Sequence, residues 1–388
     1  MAVRWRILAL LFTVRAVMGF QFQAIGALSL VVMEAYGVAL ADIGLIVGLY
    51  LAPGVILALP GGSLGARLGD KQVVMIGLAL MLGGAIWAVL ATGWEVQIAA
   101  RIVAGIGGVL LNVIMSKMVT DWFAGREIAT SMAIFVNSWP VGIAIALGVL
   151  PWVAASGGLG GALILVSVLA GLGLLAIAMV YTDAPGAGAP GQIQNAAPRG
   201  AVRGAVLMAG LVWGTYNGAL GMIFSFGPVL LTERGWSLAE ASGASSLVLW
   251  VDALSIPLGG VLADRLGQRD AIILLACLGM GALMAWVPYA DDELIWPLLA
   301  VLGFIAGLPP GPIMSLPSLV LRPENRAVGM GYFYSVFYAC VVAAPFFAGW
   351  VADLAGSATA TFQTGAALLV VSCLSLAVFH RIARRGQI

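Results

Sequence analysis

Long uncharged stretches recur along almost the whole of this 388-residue chain, and they constrain its fold more than any other feature. A helix of roughly 20 mostly apolar residues crosses the hydrocarbon core of a bilayer. Divided at charge clusters and at Gly/Pro turns, the sequence predicts twelve such spans. They cover residues 7–33, 43–65, 73–92, 95–118, 128–151, 159–181, 204–231, 239–262, 271–290, 295–320, 327–352 and 361–381.

The composition agrees with a membrane protein. Hydrophobic residues make up 62% of the chain and charged residues 9%, whereas a soluble domain carries roughly 25% charged residues. These values exclude a soluble enzyme, a disordered protein and a nucleic-acid binder. We therefore predict an all-α integral membrane protein, which could be a channel, a scaffold, a membrane enzyme or a transporter.

Basic residues between the spans are distributed unequally over the two sides of the membrane. Arg234 alone falls on one side. The other side receives Arg4, Arg6, Arg67, Lys71, Lys117, Arg126, Arg199, Arg203, Arg265, Arg269, Arg322, Arg326, Arg381, Arg384 and Arg385. By the positive-inside rule we expect cytoplasmic N- and C-termini in a bacterial inner membrane. The apolar start shows no A-x-A-type cleavage site, so we expect a retained first span.

One segment between spans is long, and its Ala, Pro and Gly residues are typical of a flexible linker. Six spans precede this linker and six follow it. The predicted domains are an N-terminal six-helix half at 1–181, a cytoplasmic linker at 182–203 and a C-terminal six-helix half at 204–388.

The two halves share a loop motif. Residues 61–71 read GGSLGARLGDK and residues 259–269 read GGVLADRLGQR, so the GG-x-L and RLG elements recur 198 residues apart. Six-helix halves in parallel repetition are the architecture of major facilitator transporters. The loop resembles that superfamily's signature, G-x-L-x-D-R-x-G-R/K. The resemblance covers the whole chain and implies a pseudo-symmetric transporter that works by alternating access.

The acidic position of the signature is Ala66 in the first repeat and Asp264 in the second. In the family this acid lies near a helix N-terminus of the other half and helps to close the cytoplasmic side, as helix-dipole physics favours. The resemblance therefore implies an asymmetric gate formed by Asp264 and Arg265, with Arg67 as the first-half counterpart. The alternative is that these residues are ordinary charges of cytoplasmic turns.

After the charges assigned to the loops and span ends are removed, three remain inside the predicted spans: Arg15, Arg101 and Asp252. A charge at the bilayer centre costs at least roughly 2.5–3.5 kcal/mol, so each requires a partner or a function. Two cations and one acid leave a surplus of one positive charge. That surplus favours a monovalent anion over a cation as the substrate.

Arg15 shares a helical face with Phe22 and several small residues, and Gln23 flanks this face. A cation, open space and an aromatic wall suit a small anion. The alternative for Arg15 is a structural bond to Asp252 or to a helix-end carbonyl group.

Arg101 begins a segment that resembles the family's span-4 motif, R-x-x-x-G-x-G, whose arginine is often linked to proton movement or gating. We expect gating rather than direct ligand contact, although the glycines also permit close helix packing. Asp252 is the only acid deep in a predicted span. It could neutralise an arginine, bind a cationic substrate or carry a proton coupled to transport, and proton coupling and charge compensation both stay open.

Polar and aromatic side chains of the central spans predict a ligand cavity. Packing is the simpler explanation for any one of them, and we expect two or three of the set to contact the ligand. The set comprises Asn112, Asn137, Trp139, Tyr216, Asn217, Tyr334 and Tyr338. In span 10, Pro309, Pro310, Pro312 and Pro317 predict a break or kink, which suggests a moving gate.

Catalytic and metal sites are not expected. Cys277, Cys340 and Cys373 lie in apolar runs without a CxxC pair, and His380 is the sole histidine. No Ser-His-Asp or Cys-His cluster and no P-loop can be assembled. We expect a monomer without a cofactor or a nucleic-acid partner, whose partners are the lipid bilayer, a small anionic substrate and, as coupling ion, protons.

Finer features favour one branch of the superfamily. The early arginine of span 1, the Trp122-Phe123 loop and the NSWPVG run in span 5 resemble the cyanate-porter and nitroimidazole-transporter branch. The leading hypothesis is secondary transport of a small monovalent organic anion. The alternatives are a multidrug or cation efflux proton antiporter, with Asp252 binding the cation, and a non-transporting sensor or scaffold.

Overall fold

The computed structural model describes residues 3–38, 40–185 and 197–385, and the regular elements of these ranges are all helical. The α-helices are α1 (Val3–Ala27), α2 (Ser29–Tyr36), α3 (Leu40–Leu49), α4 (Gly54–Leu68), α5 (Asp70–Val89), α6 (Trp94–Phe123), α7 (Ile128–Val180), α8 (Gly200–Glu233), α9 (Leu238–Leu266), α10 (Arg269–Trp286), α11 (Asp292–Ala306), α12 (Pro310–Ser315), α13 (Arg326–Ala355) and α14 (Thr359–Arg385). Short 3₁₀ turns occupy Val287–Tyr289, Leu316–Leu319 and Pro323–Asn325.

Within the described ranges, eleven helical stretches are long and apolar enough to cross a membrane. One of them, α7, has 53 residues. At 1.5 Å per residue it is about 80 Å long, far more than the roughly 30 Å of the hydrocarbon core. Gly158, with φ 63° and ψ −172°, breaks its course, so α7 provides two crossings. The twelve transmembrane helices and the all-α fold class predicted from the sequence are confirmed.

Three crossings are interrupted. The first is divided at Leu28, the second at residues 50–53 and the tenth at residues 307–309. The prolines predict the last of these breaks, whereas the first two were not expected. In the second crossing the N–H of Tyr50 bonds to the carbonyl of Val47, which leaves the carbonyl of Ile46 without its usual helical donor.

The chain packs as two compact units, and each unit includes a short segment from the other half of the sequence. Unit 1 comprises Met1–Phe123, Phe135–Ala197 and Arg322–Ser335. Unit 2 comprises Ala124–Ile134, Pro198–Leu321 and Val336–Ile388. Residues 186–196 of the expected linker at 182–203 lie outside the described residues, so the division at the linker stays a prediction.

Each unit has an apolar interior and apolar side chains on its outside. In unit 1, α5 packs along α6, and Phe20, Leu28 and Ile46 belong to a buried cluster. In unit 2, α8 packs along α14 and α9 packs along α11. Large exposed apolar side chains such as Trp152 and Phe346 suit contact with lipid acyl chains.

Candidate functional site

Neutral oxygen atoms hold the guanidinium group of Arg15, a residue of α1 that is 7% exposed. Its Nε donates to Oδ1 of Asn112 at 2.9 Å, and one terminal nitrogen donates to the carbonyls of Phe135 at 3.1 Å and Val136 at 2.8 Å. Pro140 has no N–H, so the carbonyl of Val136 lacks its helical donor. Pro140 therefore explains why the Val136 carbonyl is available to bind Arg15. These acceptors orient the guanidinium group.

Aromatic rings surround this cation. The Arg15 guanidinium lies 4.8 Å from the ring centroid of Phe135 and 5.8 Å from that of Trp139. The Trp139 ring in turn lies 4.9 Å from that of Phe22, and Phe22 lies 5.8 Å from Tyr50. Cation–π attraction stabilises the charge in such a setting. The face of span 1 that the sequence predicts thus meets an aromatic wall from α7.

Tyr334 of α13 belongs to the same cluster. Its hydroxyl lies 2.6 Å from Oγ of Ser116, it also bonds to the Asn112 side chain, and it is close enough to Arg15 to interact electrostatically. The structure therefore brings Arg15, Asn112 and Tyr334 together in unit 1 from three distant segments of the chain. We call Arg15, Phe22, Asn112, Trp139 and Tyr334 the Arg15 cluster.

Two further predicted contact residues of unit 1 lie nearby in sequence. Gln23 is half-buried, and its side chain folds over Gly26. Asn137 is half-buried, and its Oδ1 atom is enclosed without a hydrogen-bond partner among the described residues. An unsatisfied buried acceptor is costly, which makes Asn137 a candidate for an added donor.

Arg101 of α6 is 6% exposed and ties the first crossing to the second. Its Nε donates to the carbonyl of Ile46 at 3.2 Å, one terminal nitrogen donates to that of Gln21 at 2.7 Å, and the other donates to that of Phe22. The Ile46 carbonyl is the one freed by the break at residues 50–53. Arg101 makes no ion pair within the described ranges, and its guanidinium lies 4.5 Å from the ring centroid of Tyr50.

A cavity of about 30 Å³ adjoins Arg101 inside unit 1. Gln21 and Gln97 supply its amide groups, and alanine and glycine residues of α1, α5 and α6 line much of the rest. The volume has room for about one or two water molecules. The contacts of Arg101 therefore favour a structural or gating role over direct contact with a larger ligand.

Asp252 of α9 is a buried acid of unit 2. It is 4% exposed, and its Oδ1 atom is buried without a hydrogen-bond partner among the described residues. No ion pair to Asp252 is found in the described part of the chain. Charge compensation of an arginine and proton coupling, the two roles left open by the sequence, both stay predictions.

Aromatic side chains of α8 and α13 lie in the same unit. The ring of Trp213 stacks on Tyr216 at 5.6 Å and on Phe337 at 5.9 Å, and Tyr338 contacts Phe337 edge-on at 5.0 Å. The amide of Asn217 donates to the carbonyl of Trp213 at 2.8 Å on its own helix. The hydroxyl of Tyr216 donates to the carbonyl of Ala306 at 2.5 Å. The hydroxyl of Tyr216 and the amide N–H of Asn217 thus donate to the backbone.

In the second repeat loop, the carboxylate of Asp264 receives the backbone N–H groups of Ala129 at 3.2 Å and Thr130 at 2.7 Å, in the first turn of α7. A Cβ atom on Gly260 would lie only 2.6 Å from the carbonyl oxygen of Ala129. We call Gly260, Asp264, Ala129 and Thr130 the Asp264 contact. The side chain of Arg265 is exposed and makes no hydrogen bond or ion pair with the described residues.

In the first repeat loop, Ala66 packs against Ala327 and Val328 in the first turn of α13. A Cβ atom on Gly62 would lie 2.3 Å from the carbonyl oxygen of Ala327. We call these four residues the Ala66 contact. Arg67 is exposed and, like Arg265, has no polar partner among the residues that the structure describes.

The sequence reasoning missed a buried ionic network. Lys117, expected at a cytoplasmic loop, is 4% exposed and bonds to Asp70 at 2.5 Å and to Asp121 at 2.9 Å. Asp121 also pairs with Arg326 of α13 at 2.7 Å. The error arose because α6 extends to Phe123 and because Asp70 lies 47 residues away. The i,i+4 spacing of Lys117 and Asp121 was the one available signal.

The family is shown by comparison with known proteins. The model of the Major Facilitator Superfamily matches residues 11–339 and 204–387. This chain belongs to that superfamily. Membership indicates a transporter, not an enzyme, as the sequence predicts.

Individual relatives are distant. The 3-(3-hydroxy-phenyl)propionate transporter of Escherichia coli K12 is 25% identical over 98% of this chain and 94% of that protein. The uncharacterized MFS-type transporter YhcA of Bacillus subtilis is 29% identical, but the match covers only 38% of this chain and 27% of YhcA. The multi-drug resistance efflux pump PmrA of Streptococcus pneumoniae is 25% identical over 41% of this chain and 40% of the pump.

Solved structures share the fold. The human organic anion transporter MFSD10 superposes with a TM-score of 0.77 at 18% identity, covering 96% of this chain and 99% of that one. The Escherichia coli fucose:proton symporter FucP gives a TM-score of 0.74 at 15% identity, covering 95% and 98%. Similarity at this level of identity shows the architecture alone.

Proposed function

We propose that this protein is a proton-coupled secondary transporter of small monovalent organic anions. The observation that carries the proposal is the Arg15 cluster, a deeply buried cation held by neutral acceptors beside aromatic rings. Such a group attracts one negative charge, and the rings of Phe22 and Trp139 offer an apolar surface for the rest of an organic anion. A dianion would require a second cation in the cluster.

The name of the full-length relative agrees with this substrate class. A hydroxyphenyl propionate combines one carboxylate with an aromatic ring, the two groups that Arg15 and the aromatic wall would recognise. The resemblance to the cyanate-porter and nitroimidazole-transporter branch supports the same single charge. Arylpropionates, benzoate and cyanate are therefore the first ligands to test.

Asp252 is the proposed proton site. Its carboxyl group is buried in unit 2 without a cationic partner among the described residues. A lone carboxylate in a low-dielectric interior is far costlier than a neutral carboxyl group, so a proton is the simplest means of compensation.

The substrate proposal is tested by Arg15→Gln in proteoliposomes to which candidate anions are added externally. We expect saturable uptake of arylpropionate to fall to background, because the anion loses its charged partner. Arg6→Gln removes an exposed arginine from the same helix and serves as the matched control. Thermal unfolding of the purified variants verifies folding. Full uptake by Arg15→Gln would refute the assignment.

A second function, efflux of lipophilic cations in exchange for protons, is favoured by one observation. Asp252 shares unit 2 with the stacked rings of Trp213, Tyr216 and Phe337, a combination suited to a flat cation, and PmrA is a multidrug pump. Thermal shift separates the two functions, since bound ligand stabilises by RT ln(1 + [L]/Kd). Stabilisation by lipophilic cations but not by arylpropionates would favour efflux.

The proposal includes a bacterial inner-membrane location, cytoplasmic termini, a monomeric state and two six-helix halves at 1–181 and 204–388. The one-sided distribution of basic residues supports the orientation. Reporter fusions at both ends of the chain test it, because a reporter that is active only in the cytoplasm must report activity at each end.

A further inference from the structure

The break in the tenth crossing exposes a backbone acceptor that a tyrosine occupies. The carbonyl of Ala306, the last residue of α11, would bond to the N–H of residue 310 in a continuous helix, but residue 310 is proline. The hydroxyl of Tyr216 from α8 donates to this carbonyl at 2.5 Å. A buried carbonyl group rarely stays unpaired, so Tyr216 stabilises the broken form of the crossing.

Helix α9 packs tightly against the same break. A Cβ atom on Gly307 would lie 1.9 Å from Oγ of Ser255 and 2.5 Å from the carbonyl oxygen of Asp252. A Cβ atom on Gly259 would lie 2.1 Å from the carbonyl oxygen of Leu308. The backbone of the break therefore has no room to shift unless α9 shifts with it.

The unpaired acid of unit 2 lies at this junction. Asp252 is in the stretch of α9 that contacts the break, its Oδ1 atom has no hydrogen-bond partner among the described residues, and it is close enough to Tyr216 for an ionised carboxylate to act on the hydroxyl. An ionised Asp252 carboxylate would offer the single O–H of Tyr216 an acceptor besides the Ala306 carbonyl group.

We propose that Tyr216 is a positioning residue that transmits the protonation of Asp252 to the break in the tenth crossing. A hydrogen bond to an ionised acceptor is roughly twice as strong as one to a neutral acceptor. When Asp252 is ionised, its carboxylate attracts the Tyr216 hydroxyl away from Ala306, and the break loses its donor. When Asp252 carries a proton, Tyr216 donates to Ala306, as in this structure. The inference rests on the proposed proton site at Asp252.

Few other groups could titrate at this junction. On α10, the thiol of Cys277 lies near Tyr216. On α9, Ser255 donates to the backbone carbonyl of Asp252 at 3.1 Å. The sequences of α11 from Leu294 onward and of α12 contain no ionisable side chain. A pH response of the break therefore points to Asp252.

Transport by Tyr216→Phe as a function of pH tests the inference. The phenyl ring preserves the stack on Trp213 but has no O–H, so we expect the ratio of transport rates at low and high pH to fall toward one. Asp252→Asn should give the same flat profile, and the double variant should add no further change. Thr215→Val removes a neighbouring buried hydroxyl that bonds to Leu211 and Ser372, and it should keep the wild-type profile.

Hydrogen exchange provides a readout that does not require transport. After correction for intrinsic rates, exchange of residues 305–315 in the wild type should increase as Asp252 ionises. In Tyr216→Phe it should be fast at both pH values. A wild-type profile in Tyr216→Phe beside a flat one in Asp252→Asn would overturn the role of Tyr216 and leave the proton site intact. A wild-type profile in Asp252→Asn would overturn both.

Discussion

The Ala66 contact and the Asp264 contact have the same backbone geometry but different chemistry. Gly62 and Gly260, Ala66 and Asp264, and Ala129 and Ala327 are pairs separated by 198 residues. In each contact a glycine permits close approach to the carbonyl oxygen of an alanine in the first turn of a long helix. Asp264 then adds two hydrogen bonds to backbone N–H groups, whereas Ala66 adds apolar packing. The close approach at the glycine is thus common to both contacts, and the carboxylate adds hydrogen bonds in the second contact only.

Near the Ala66 contact, the charged side chains form a separate ionic network. Asp70 follows the first loop directly, and Lys117 joins it to Asp121, which pairs with Arg326 at the start of α13. One region therefore relies on a carboxylate at a helix N-terminus, and the other on a buried network of four charges. Buried ion pairs tolerate the loss of one partner poorly.

The largest expected effect comes from Lys117→Met. This change leaves Asp70 and Asp121 buried without their shared cation, and loss of one member of a buried pair costs about 3–5 kcal/mol. Thermal unfolding of the purified protein should show a large decrease in Tm. Lys71→Met is the matched control, because Lys71 donates only to the carbonyls of Ala178 and Tyr181 among the described residues. Equal Tm values for Lys117→Met and the wild type would contradict the importance of the network.

Asp264→Ala should have an intermediate effect. Loss of a carboxylate acceptor at a helix N-terminus costs about 1 kcal/mol, or roughly a fivefold change in an equilibrium. Hydrogen exchange of the peptide that contains Ala129 and Thr130 should accelerate accordingly. Arg265→Ala, at the exposed neighbour, is expected to leave this exchange unchanged. If both variants accelerate it equally, the loop acts through its net charge.

Ala66→Asp should have the smallest effect and sharpens the comparison most. It places the missing acid opposite Ala327 and Val328, where free N–H groups of the first turn of α13 can receive it. We expect slower hydrogen exchange of these two amides, by less than about fivefold because the site is already packed. Ala66→Asn serves as the neutral control. Faster exchange in Ala66→Asp would mean that apolar packing and N-terminal capping are not interchangeable here.

Hydropathy was sufficient to predict the crossings, and the prolines were sufficient to predict the break in the tenth one. Spans depend on local composition, and the prolines at 309, 310, 312 and 317 remove backbone donors wherever the chain is placed. The breaks at Leu28 and at residues 50–53 carry weaker local signals. Arg101 donates hydrogen bonds to backbone carbonyls of the first and second crossings. Such long-range bonds cannot be inferred from periodicity.

The candidate site was predictable in its members but not in its contacts. Arg15, Asn112 and Tyr334 were each selected as polar residues within apolar spans, yet their bonds join residues that are 97 or more positions apart. Pro140 was visible in the sequence, but the pairing of its freed carbonyl with Arg15 requires the packing of α1 against α7. Lys117 was misplaced for a related reason, since its partner Asp70 lies on another helix.

The turn inside α7 has a consequence for biogenesis. Residues 150–162 contain no charged side chain, and Gly158 reverses the chain without a polar loop. Moving this segment through the bilayer therefore does not require a charge to be desolvated. The segment also contains no basic residue that could determine the orientation of the flanking helices. The insertion machinery must receive both crossings of α7 as one hairpin, whose direction is set by charges that precede Ile128 and follow Val180.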